Sequence, residues 1–183
     1  MTEIKHKVGI IGAGVIADFH AQALLAMQGV ELVAAYARNQ EKADSFSQKY
    51  GCSGYSDLTE FLKHPGMDVV TIGSVSGVHL EHATAAAKSG KHIICEKPLE
   101  VTPSRIDEMI KVCEENGVML SGIFPRRFND STHIFKEAIE SGRLGKVVLC
   151  DTAIKWWRTQ EYYDSGAWRG TWELDGGGAL MNQ

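Results

Sequence analysis

A short apolar segment that runs into a glycine-rich turn constrains the fold of this chain more than any other feature. Residues 8–11 form the apolar segment, and the turn Gly12-x-Gly14-x-x-Ala17 follows it at the start of a helical pattern. Gly12 permits a tight turn, Gly14 lets the backbone approach a pyrophosphate, and Ala17 is small enough for the helix to pack closely on the strand. Unpaired backbone N–H groups and the helix dipole then favour a bound anion.

This turn predicts a dinucleotide site, because a strand before the motif and a helix after it are the context in which such turns bind pyrophosphate. The alternatives are a glycine turn with no ligand and a turn that binds a different nucleotide, such as S-adenosylmethionine. The residues that we expect to line the site are Gly12, Ala13, Gly14, Val15 and Ile16.

Residues 1–124 alternate strand and helix patterns, which is typical of a parallel sheet covered by helices on both faces. We expect a helix that Thr102 caps and Gly117 ends, and four earlier helices at residues 15–27, 41–50, 56–63 and 78–89. We expect six strands, and the apolar pattern gives bounds for five of them, at residues 8–11, 31–36, 68–72, 92–95 and 118–124. The pattern predicts a Rossmann-type doubly wound parallel sheet that binds a dinucleotide.

The composition changes after Pro125. One helix is predicted over residues 130–141 and one long strand over residues 146–157. One helix and one or two strands cannot bury the aromatic side chains of this part, so we expect residues 125–183 to be the truncated start of an α+β domain. Those side chains include all four tryptophans and two neighbouring tyrosines: Trp156, Trp157, Trp168, Trp172, Tyr162 and Tyr163.

Composition and charge exclude several classes of function. The net charge of -4 gives no electrostatic footprint for nucleic acid or an anionic membrane. No apolar run approaches the ~18 residues of a membrane span, and residues 1–7 contain no apolar signal segment. The four cysteines are scattered without a C-x-x-C pair, so we expect neither a metal site nor a disulfide framework. A cytoplasmic protein with no nucleic-acid or membrane partner is predicted.

The end of the second strand bears on the choice of cofactor. An NAD site usually places a carboxylate about 20 residues after the glycines, but residues 35–39 read AYARN and contain no acid. Arg38 is able to meet the extra phosphate of NADP with charge-assisted hydrogen bonds. Alternatively, Arg38 is solvated or lies across the adenine of an NAD site. We therefore favour NADP over NAD.

A second motif places a lysine at the end of a later strand. Lys97 precedes Pro98, which disfavours helix and holds the lysine extended. Ligands of such sheets bind at the carboxyl ends of the strands, where an ammonium can donate to a substrate hydroxyl oxygen. The alternative is an exposed lysine in a turn.

Several segments resemble the family of glucose–fructose oxidoreductase, inositol dehydrogenase and the rhizopine catabolism protein MocA. The resemblance covers the whole chain and is carried by GAGVIA at 12–17, DVVTI at 68–72, GKHIICEKPL at 90–99, SGRLG at 141–145, WRGTW at 168–172 and GGGALMNQ at 176–183. It implies hydride transfer between NAD or NADP and a sugar, a polyol or a nucleotide-sugar derivative, with oligomerisation through the second domain.

The resemblance also implies roles for single residues. Lys97 becomes the active-site lysine, Glu96 lies near the nicotinamide, and Ser74, Val75 and His79 lie along the cofactor. The family often has proline where Val75 stands, which puts the shape of that loop in question. Many members have glutamine or asparagine where this chain has Pro125, which would remove a contact near the nicotinamide.

Trp168, Arg169 and Asn182 are substrate-site candidates by the same resemblance, and packing in the second domain is the alternative for the aromatic residue. Asn182 matches a position that is often aspartate in the polyol enzymes. The acid/base histidine of those enzymes belongs four residues further on, beyond Gln183, so we expect the 183-residue chain to be inactive by itself. The remaining candidates, His20, His82 and His92, are expected to be ordinary packed or surface residues.

The sequence thus predicts an NAD(P)-dependent dehydrogenase, an oxidoreductase in which Lys97 polarises or deprotonates the substrate oxygen. One alternative is an NAD-dependent glycoside hydrolase of the same fold, which oxidises its substrate transiently, although the missing acid beside Arg38 argues against tightly held NAD. Another alternative is a dinucleotide-binding fragment without catalysis.

Overall fold

Six parallel strands form one sheet in the computed structural model, which describes residues 6–182; residues 1–5 and Gln183 lie outside the described part. The sheet has the order β3-β2-β1-β4-β5-β6, and all neighbouring strands are parallel. The strands are β1 (His6–Ile11), β2 (Val30–Tyr36), β3 (Ser53–Tyr55), β4 (Val69–Ile72), β5 (His92–Glu96) and β6 (Leu120–Ile123). This is the predicted Rossmann-type, doubly wound arrangement.

Helices connect successive strands of the sheet. They are α1 (Val15–Ala26), α2 (Gln40–Tyr50), α3 (Leu58–Leu62), α4 (His79–Lys88) and α5 (Pro103–Glu115). The predicted cap of α5 is confirmed, because the Thr102 side chain accepts a hydrogen bond from the backbone N–H of Arg105. The start of α3 differs from the prediction, since its capping side chain is Asp57, which accepts from the N–H of Glu60.

The register brings the functional strand ends to one edge of the sheet. Ile11 of β1 lies opposite Tyr36 of β2 and Ile72 of β4, and Ile72 lies opposite Cys95 of β5. The chain adds β2 and β3 on one side of β1 and then continues with β4 on the other side. The switch point at which such folds bind ligands therefore lies between β1 and β4, at this edge of the sheet.

Side chains alternate between the two faces of the sheet, and each face has its own buried cluster. Val8 and Ile10 of β1 belong to one cluster, whereas Ile11 belongs to the other. Gly9 faces the second cluster so closely that a Cβ there would lie 2.6 Å from Phe61. Both faces are therefore covered, as expected for a parallel sheet.

Residues 125–182, here called the C-terminal region, contain only short helices. They are α6 (Asp130–Glu140), α7 (Gln160–Asp164), α8 (Trp172–Asp175) and α9 (Ala179–Asn182). The prediction of α6 is confirmed, but the long strand over residues 146–157 is wrong. A strand needs a partner for its backbone N–H and C=O groups, and within residues 6–182 no strand pairs with this segment.

No helix within residues 6–182 is long and apolar enough to cross a membrane. Nor does the range contain three histidine, cysteine or acidic side chains grouped so that they could hold a metal ion.

Candidate active site

The glycine turn joins β1 to α1 at the switch point. Gly12 has φ +118°, and a Cβ there would lie 2.8 Å from the carbonyl oxygen of Gly73, in the loop after β4. Gly14 is the N-cap residue of α1 and makes no side-chain cap hydrogen bond, and no heavy atom lies within 4 Å of a Cβ built on it. The space beside Gly14, at the N-terminus of α1, is therefore open, and the first N–H groups of a helix are able to donate to a pyrophosphate there.

Some residues of the turn and of the start of α1 are buried against the sheet, and others are exposed. Ala17 is fully buried, which confirms its predicted role in holding α1 against the sheet. Val15 and Ile16 are exposed at the start of α1, Ala13 is partly buried, and Ile16 Cγ2 lies 3.3 Å from a Cβ built on Gly73. The turn and the loop after β4 thus lie against each other at the sheet edge where such folds bind ligands, here called the cleft.

Arg38 follows β2 at the same edge of the sheet. It is exposed, and among residues 6–182 it makes no ion pair or hydrogen bond. The residues on either side of Arg38 have structural roles. Ala37 is buried, and the side chain of Asn39 accepts a hydrogen bond from the N–H of Lys42 as the cap of α2. Arg38 is therefore the cation at this end of the cleft that is available to a ligand.

His82 of α4 lies between β2 and the loop after β4, although the sequence predicted an ordinary histidine. Its Nδ1 is 2.9 Å from Ser74 Oγ, and its ring meets Tyr36 edge-on with centroids 6.0 Å apart. Burial, followed by the nearby His79 and Arg38, lowers the pKa of His82 to about 4. The ring is thus neutral at pH 7. His82 stands three residues after His79, on the same helix face, and this spacing was the sequence signal that both rings lie beside the same loop.

His79 holds two loops together. Its ring is 1% exposed, with Nε2 3.1 Å from the carbonyl oxygen of Ser74 and Nδ1 3.0 Å from that of Pro98. The structure therefore places His79 in contact with the loop after β4 and with the loop after β5; its predicted place along the cofactor stays a prediction. Val75, in that loop, has φ -69° and ψ 137°, a conformation that proline also adopts. Proline in place of Val75 would therefore need no change in the backbone conformation at this position.

Glu96, at the end of β5, is buried and uses both carboxylate oxygens within the protein. Oε1 lies 3.0 Å from His20 Nε2, and Oε2 accepts from the backbone N–H of Lys97 at 3.0 Å. His20 Nδ1 in turn lies 2.6 Å from Thr71 Oγ1. Because a carboxylate only accepts, Nε2 of His20 donates to Glu96. This chain of contacts ties β4, α1 and β5 together below Lys97, a role that the sequence prediction for His20 missed.

Lys97 reaches the C-terminal region. Its Nζ donates to the backbone oxygen of Asn182 at 2.7 Å and to Asn182 Oδ1 at 2.9 Å. Asn182 Nδ2 donates to Asp175 Oδ1 at 2.7 Å. Two residues that the sequence proposed separately, Lys97 and Asn182, are thus in direct contact. Asp175 was not predicted.

Trp168 and Arg169, the other two substrate-site candidates, contact each other, and Arg169 also contacts Tyr162. The Arg169 guanidinium stacks on the rings of Tyr162 and Trp168, at 4.3 and 4.7 Å from their centroids, and donates to Tyr162 Oη at 2.7 Å. A cavity of about 500 Å³ lies beside α9. Its lining residues are Ile154, Trp156, Trp157, Arg158, Tyr163, Ala179 and Leu180.

Both parts of the chain match family models. The first, described as "Oxidoreductase family, NAD-binding Rossmann fold", matches residues 6–124, and a GFO/IDH/MocA C-terminal domain matches residues 133–183. Myo-inositol 2-dehydrogenase of Thermotoga maritima is 33% identical over 141 residues, or 76% of this chain and 42% of that protein. D-glucoside 3-dehydrogenase of Escherichia coli is 34% identical over 151 residues, or 81% of this chain and 43% of that protein.

A solved structure matches the whole chain. The WlbA dehydrogenase of Chromobacterium violaceum, in complex with NADH and UDP-GlcNAcA, superimposes with a TM-score of 0.93 at 30% identity and covers 100% of this chain and 53% of that one. The chain spans about half the length of the proteins that it matches.

Proposed function

The chain belongs to the Gfo/Idh/MocA oxidoreductase family, and from that premise we propose that it supplies the NAD(P) site and the active-site lysine of an enzyme that oxidises or reduces a sugar derivative. The observation that carries the proposal is the position of Lys97, which follows β5 at the sheet edge that also holds the glycine turn. We assign residues 1–124 to cofactor binding and residues 125–183 to a substrate domain.

The residues at the sheet edge fit a dinucleotide. The open space at Gly14 and the N–H groups of α1 suit its pyrophosphate, and the close contact of Gly12 with Gly73 excludes a side chain that would fill the turn. Exposed Arg38 suits an adenosine phosphate. When bound, the cofactor exchanges a hydride at nicotinamide C4 with the substrate carbon.

Lys97 handles the proton in this proposal. Two of its ammonium hydrogens point to Asn182, which leaves one to donate to the substrate oxygen. In the direction of reduction, the ammonium gives this proton to the new hydroxyl group. In the direction of oxidation, the hydroxyl proton must leave, and Lys97 accepts it in its neutral amine form. Glu96 fixes the backbone N–H of Lys97, so that the side chain starts from a defined point.

We propose that NADP(H) binds more tightly than NAD(H), by about 1–2 kcal/mol, because a charge pair at an exposed site is weakened by water and salt. Arg38 and the absence of an acid in residues 35–39 support this preference. The WlbA relative was solved with NADH, so the support for NADP(H) comes from the residues of this chain and not from that structure. Arg38→Ala should abolish it while leaving NADH binding nearly unchanged, and tighter NADH binding by the wild type would contradict it.

The substrate class proposed is a small sugar derivative, with a nucleotide sugar favoured over a free polyol. The cavity beside α9 is of the size that holds small ligands, and its aromatic walls suit sugar C–H faces. Arg158, which stacks on Trp156 at 4.9 Å, offers a cation to an anionic substituent. The UDP-GlcNAcA bound by the WlbA relative supports the same choice.

Titration with NADPH tests the cofactor site. Gly14→Glu should abolish binding, because the new carboxylate occupies the open space at the pyrophosphate position without a clash in the free protein. Gln22→Glu adds the same charge to an exposed position of α1 and should bind NADPH as the wild type does. Equal binding by the Gly14→Glu variant would contradict the proposed site.

The reaction is tested by nicotinamide absorbance with UDP-GlcNAcA and with myo-inositol. We expect little turnover from the 183 residues alone; where turnover is measured, Lys97→Ala should lower it by about 100-fold or more, the usual contribution of an acid–base group, while NADPH still binds. Turnover that survives this substitution would contradict the role of Lys97.

We further propose that the protein self-associates through residues 125–183 and is cytoplasmic. Apolar side chains exposed in the C-terminal region, such as Val148, Leu149 and Trp157, support self-association. The free thiols Cys52, Cys95, Cys113 and Cys150 support a reducing compartment. Sedimentation as a single monomeric species would contradict self-association.

A further inference from the structure

We propose that Asp175 is a positioning residue, which orients the side-chain amide of Asn182 and thereby fixes the ammonium of Lys97. This inference rests on the proposed function, because it concerns the lysine of the same site. Asp175 touches neither Lys97 nor the open cleft, so it acts through Asn182.

Asp175 is a buried carboxylate with an unusual enclosure. It is 1% exposed, and its Oδ2 accepts from the backbone N–H of Gly170 at 2.7 Å. A Cβ built on Gly178, which has φ +80°, would lie 3.1 Å from the same oxygen. Burial of a carboxylate is costly unless donors surround it. The glycine backbone at positions 170 and 178 therefore makes room for a carboxylate that forms no ion pair with any residue in the range 6–182.

The second oxygen of Asp175 determines which way the amide of Asn182 points. Oδ1 accepts from Asn182 Nδ2 at 2.7 Å, and Asn182 Oδ1 accepts from Lys97 Nζ at 2.9 Å. A carboxylate only accepts and an ammonium only donates. One amide orientation alone satisfies both neighbours, with the NH₂ group toward Asp175 and the oxygen toward Lys97.

The same argument specifies the residue type at position 182. An aspartate there would place two carboxylates at hydrogen-bond distance with no proton between them. An asparagine donates to the carboxylate with its NH₂ group and accepts from the ammonium with its oxygen. We infer that the buried charge of Asp175 selects an amide at position 182.

Loss of the carboxylate should release Lys97. In the Asp175→Asn variant, the N–H of Gly170 and the NH₂ of Asn182 still need acceptors, but one oxygen of the carboxylate has become a donor. The amide of Asn182 is then no longer fixed, and a flipped amide turns its NH₂ toward the ammonium. Lys97 loses one of its two acceptors and moves more freely.

Chemical labelling of Lys97 tests this without any substrate. The full chain is treated with an amine-acetylating reagent, and the rate at Lys97 is measured by mass spectrometry against exposed Lys88 in the same molecule. Asp175→Asn should raise the Lys97 rate about threefold to tenfold, the equivalent of one hydrogen bond. Exposed Lys88 corrects for differences in the reagent between samples. General unfolding would also raise the labelling of buried groups elsewhere, and thermal denaturation detects it separately.

Exchanging the two side chains gives the decisive comparison. Asn182→Asp alone should lower thermal stability, because it opposes two carboxylates. In the double variant Asp175→Asn/Asn182→Asp, the new amide donates to the new carboxylate, and Lys97 regains its acceptor. Labelling of Lys97 should then return to within about twofold of the wild type, as in a coupled double-mutant cycle.

Two results would overturn the inference. One is an Asp175→Asn variant whose Lys97 is labelled at the wild-type rate. The other is a double variant that labels no closer to the wild type than Asp175→Asn does. Neither readout depends on turnover, so failure of the proposed reaction, seen as NADPH binding without oxidation of any sugar, is distinguishable from failure of the positioning role. If turnover is present, Asp175→Asn should lower kcat more than it changes KM.

Discussion

The two parts of the molecule use apolar residues in opposite ways. In residues 6–124 apolar side chains from the strands and helices are buried on both faces of the sheet, and Phe61 is 0% exposed. In the C-terminal region a comparable ring, Phe135 of α6, is 56% exposed, and Trp157 is 83% exposed. The difference shows that apolar side chains form a core only where other elements of the fold pack against them. The C-terminal region is nevertheless the source of Asn182 and Asp175 at the active site.

The largest expected effect compares a phenylalanine from each part. Phe61→Ala should lower the free energy of unfolding by about 3–5 kcal/mol, the usual result of removing a buried ring. Phe135→Ala should change it by no more than about 0.5 kcal/mol, because its ring is largely in water already. Chemical denaturation of both variants checks this. Equal losses would mean that residues 125–182 have a core of their own.

The next effect concerns the junction of the two parts. A Cβ on Gly77 would overlap the backbone oxygen of Glu173 and lie 2.8 Å from Leu174 Cα. Gly77→Ala should therefore detach α8 and its Asp175 from the loop after β4, at a cost of about 1–3 kcal/mol, as for other overpacked contacts. Limited proteolysis should cut faster between residues 165 and 182 in this variant.

Gly14→Ala is the matched control for the junction, because its methyl group meets no atom within 4 Å and its backbone conformation is available to alanine. It should be digested at the wild-type rate. Equal rates for Gly77→Ala and the wild type would show that α8 does not depend on this contact.

The elements that the sequence predicted correctly are those that neighbouring residues determine. The glycine turn, the cap of α5 and five strands were predictable, because each is encoded by neighbouring residues. The three-residue β3 was missed, since SGY at the sheet edge carries no apolar run. The strand predicted at 146–157 was wrong, because an extended apolar pattern forms a strand only if another strand pairs with it.

The site was predictable only in parts. The resemblance named Lys97 and Asn182 separately, but their contact spans 85 positions. The contacts of His20 with Thr71 and Glu96 span 51 and 76 positions, so periodicity could not distinguish this residue from an ordinary packed histidine. Asp175 was missed for the same reason, because its importance depends on which amide it meets.

A smaller effect is expected from acid. Burial acts to raise the pKa of the Glu100 carboxyl, but hydrogen bonds from Arg105 and from the backbone N–H groups of Val101 and Leu80 outweigh it and lower that pKa below its usual 4.5. A carboxyl with a lowered pKa stabilises the folded state above its unfolded pKa and loses that contribution as the pH falls through the folded value.

Glu100→Gln should accordingly remove about 1–2 kcal/mol of stability at pH 7 and leave a smaller difference from the wild type below pH 4. Glu173→Gln, an exposed position of the C-terminal region, should change the pH dependence little. Urea titrations across this pH range measure both. A Glu100→Gln variant that differs from the wild type equally at every pH would contradict the assigned contacts.

Hydrogen exchange with and without NADPH tests the central claim most directly, namely that the sheet edge of residues 6–124 holds the cofactor beside Lys97. We predict that NADPH slows exchange at the backbone N–H groups of residues 12–17, 37–39 and 73–76. Residues 142–158 should exchange at the same rate in both states. Protection confined to residues 142–158, or no protection at the glycine turn, would contradict the assignment.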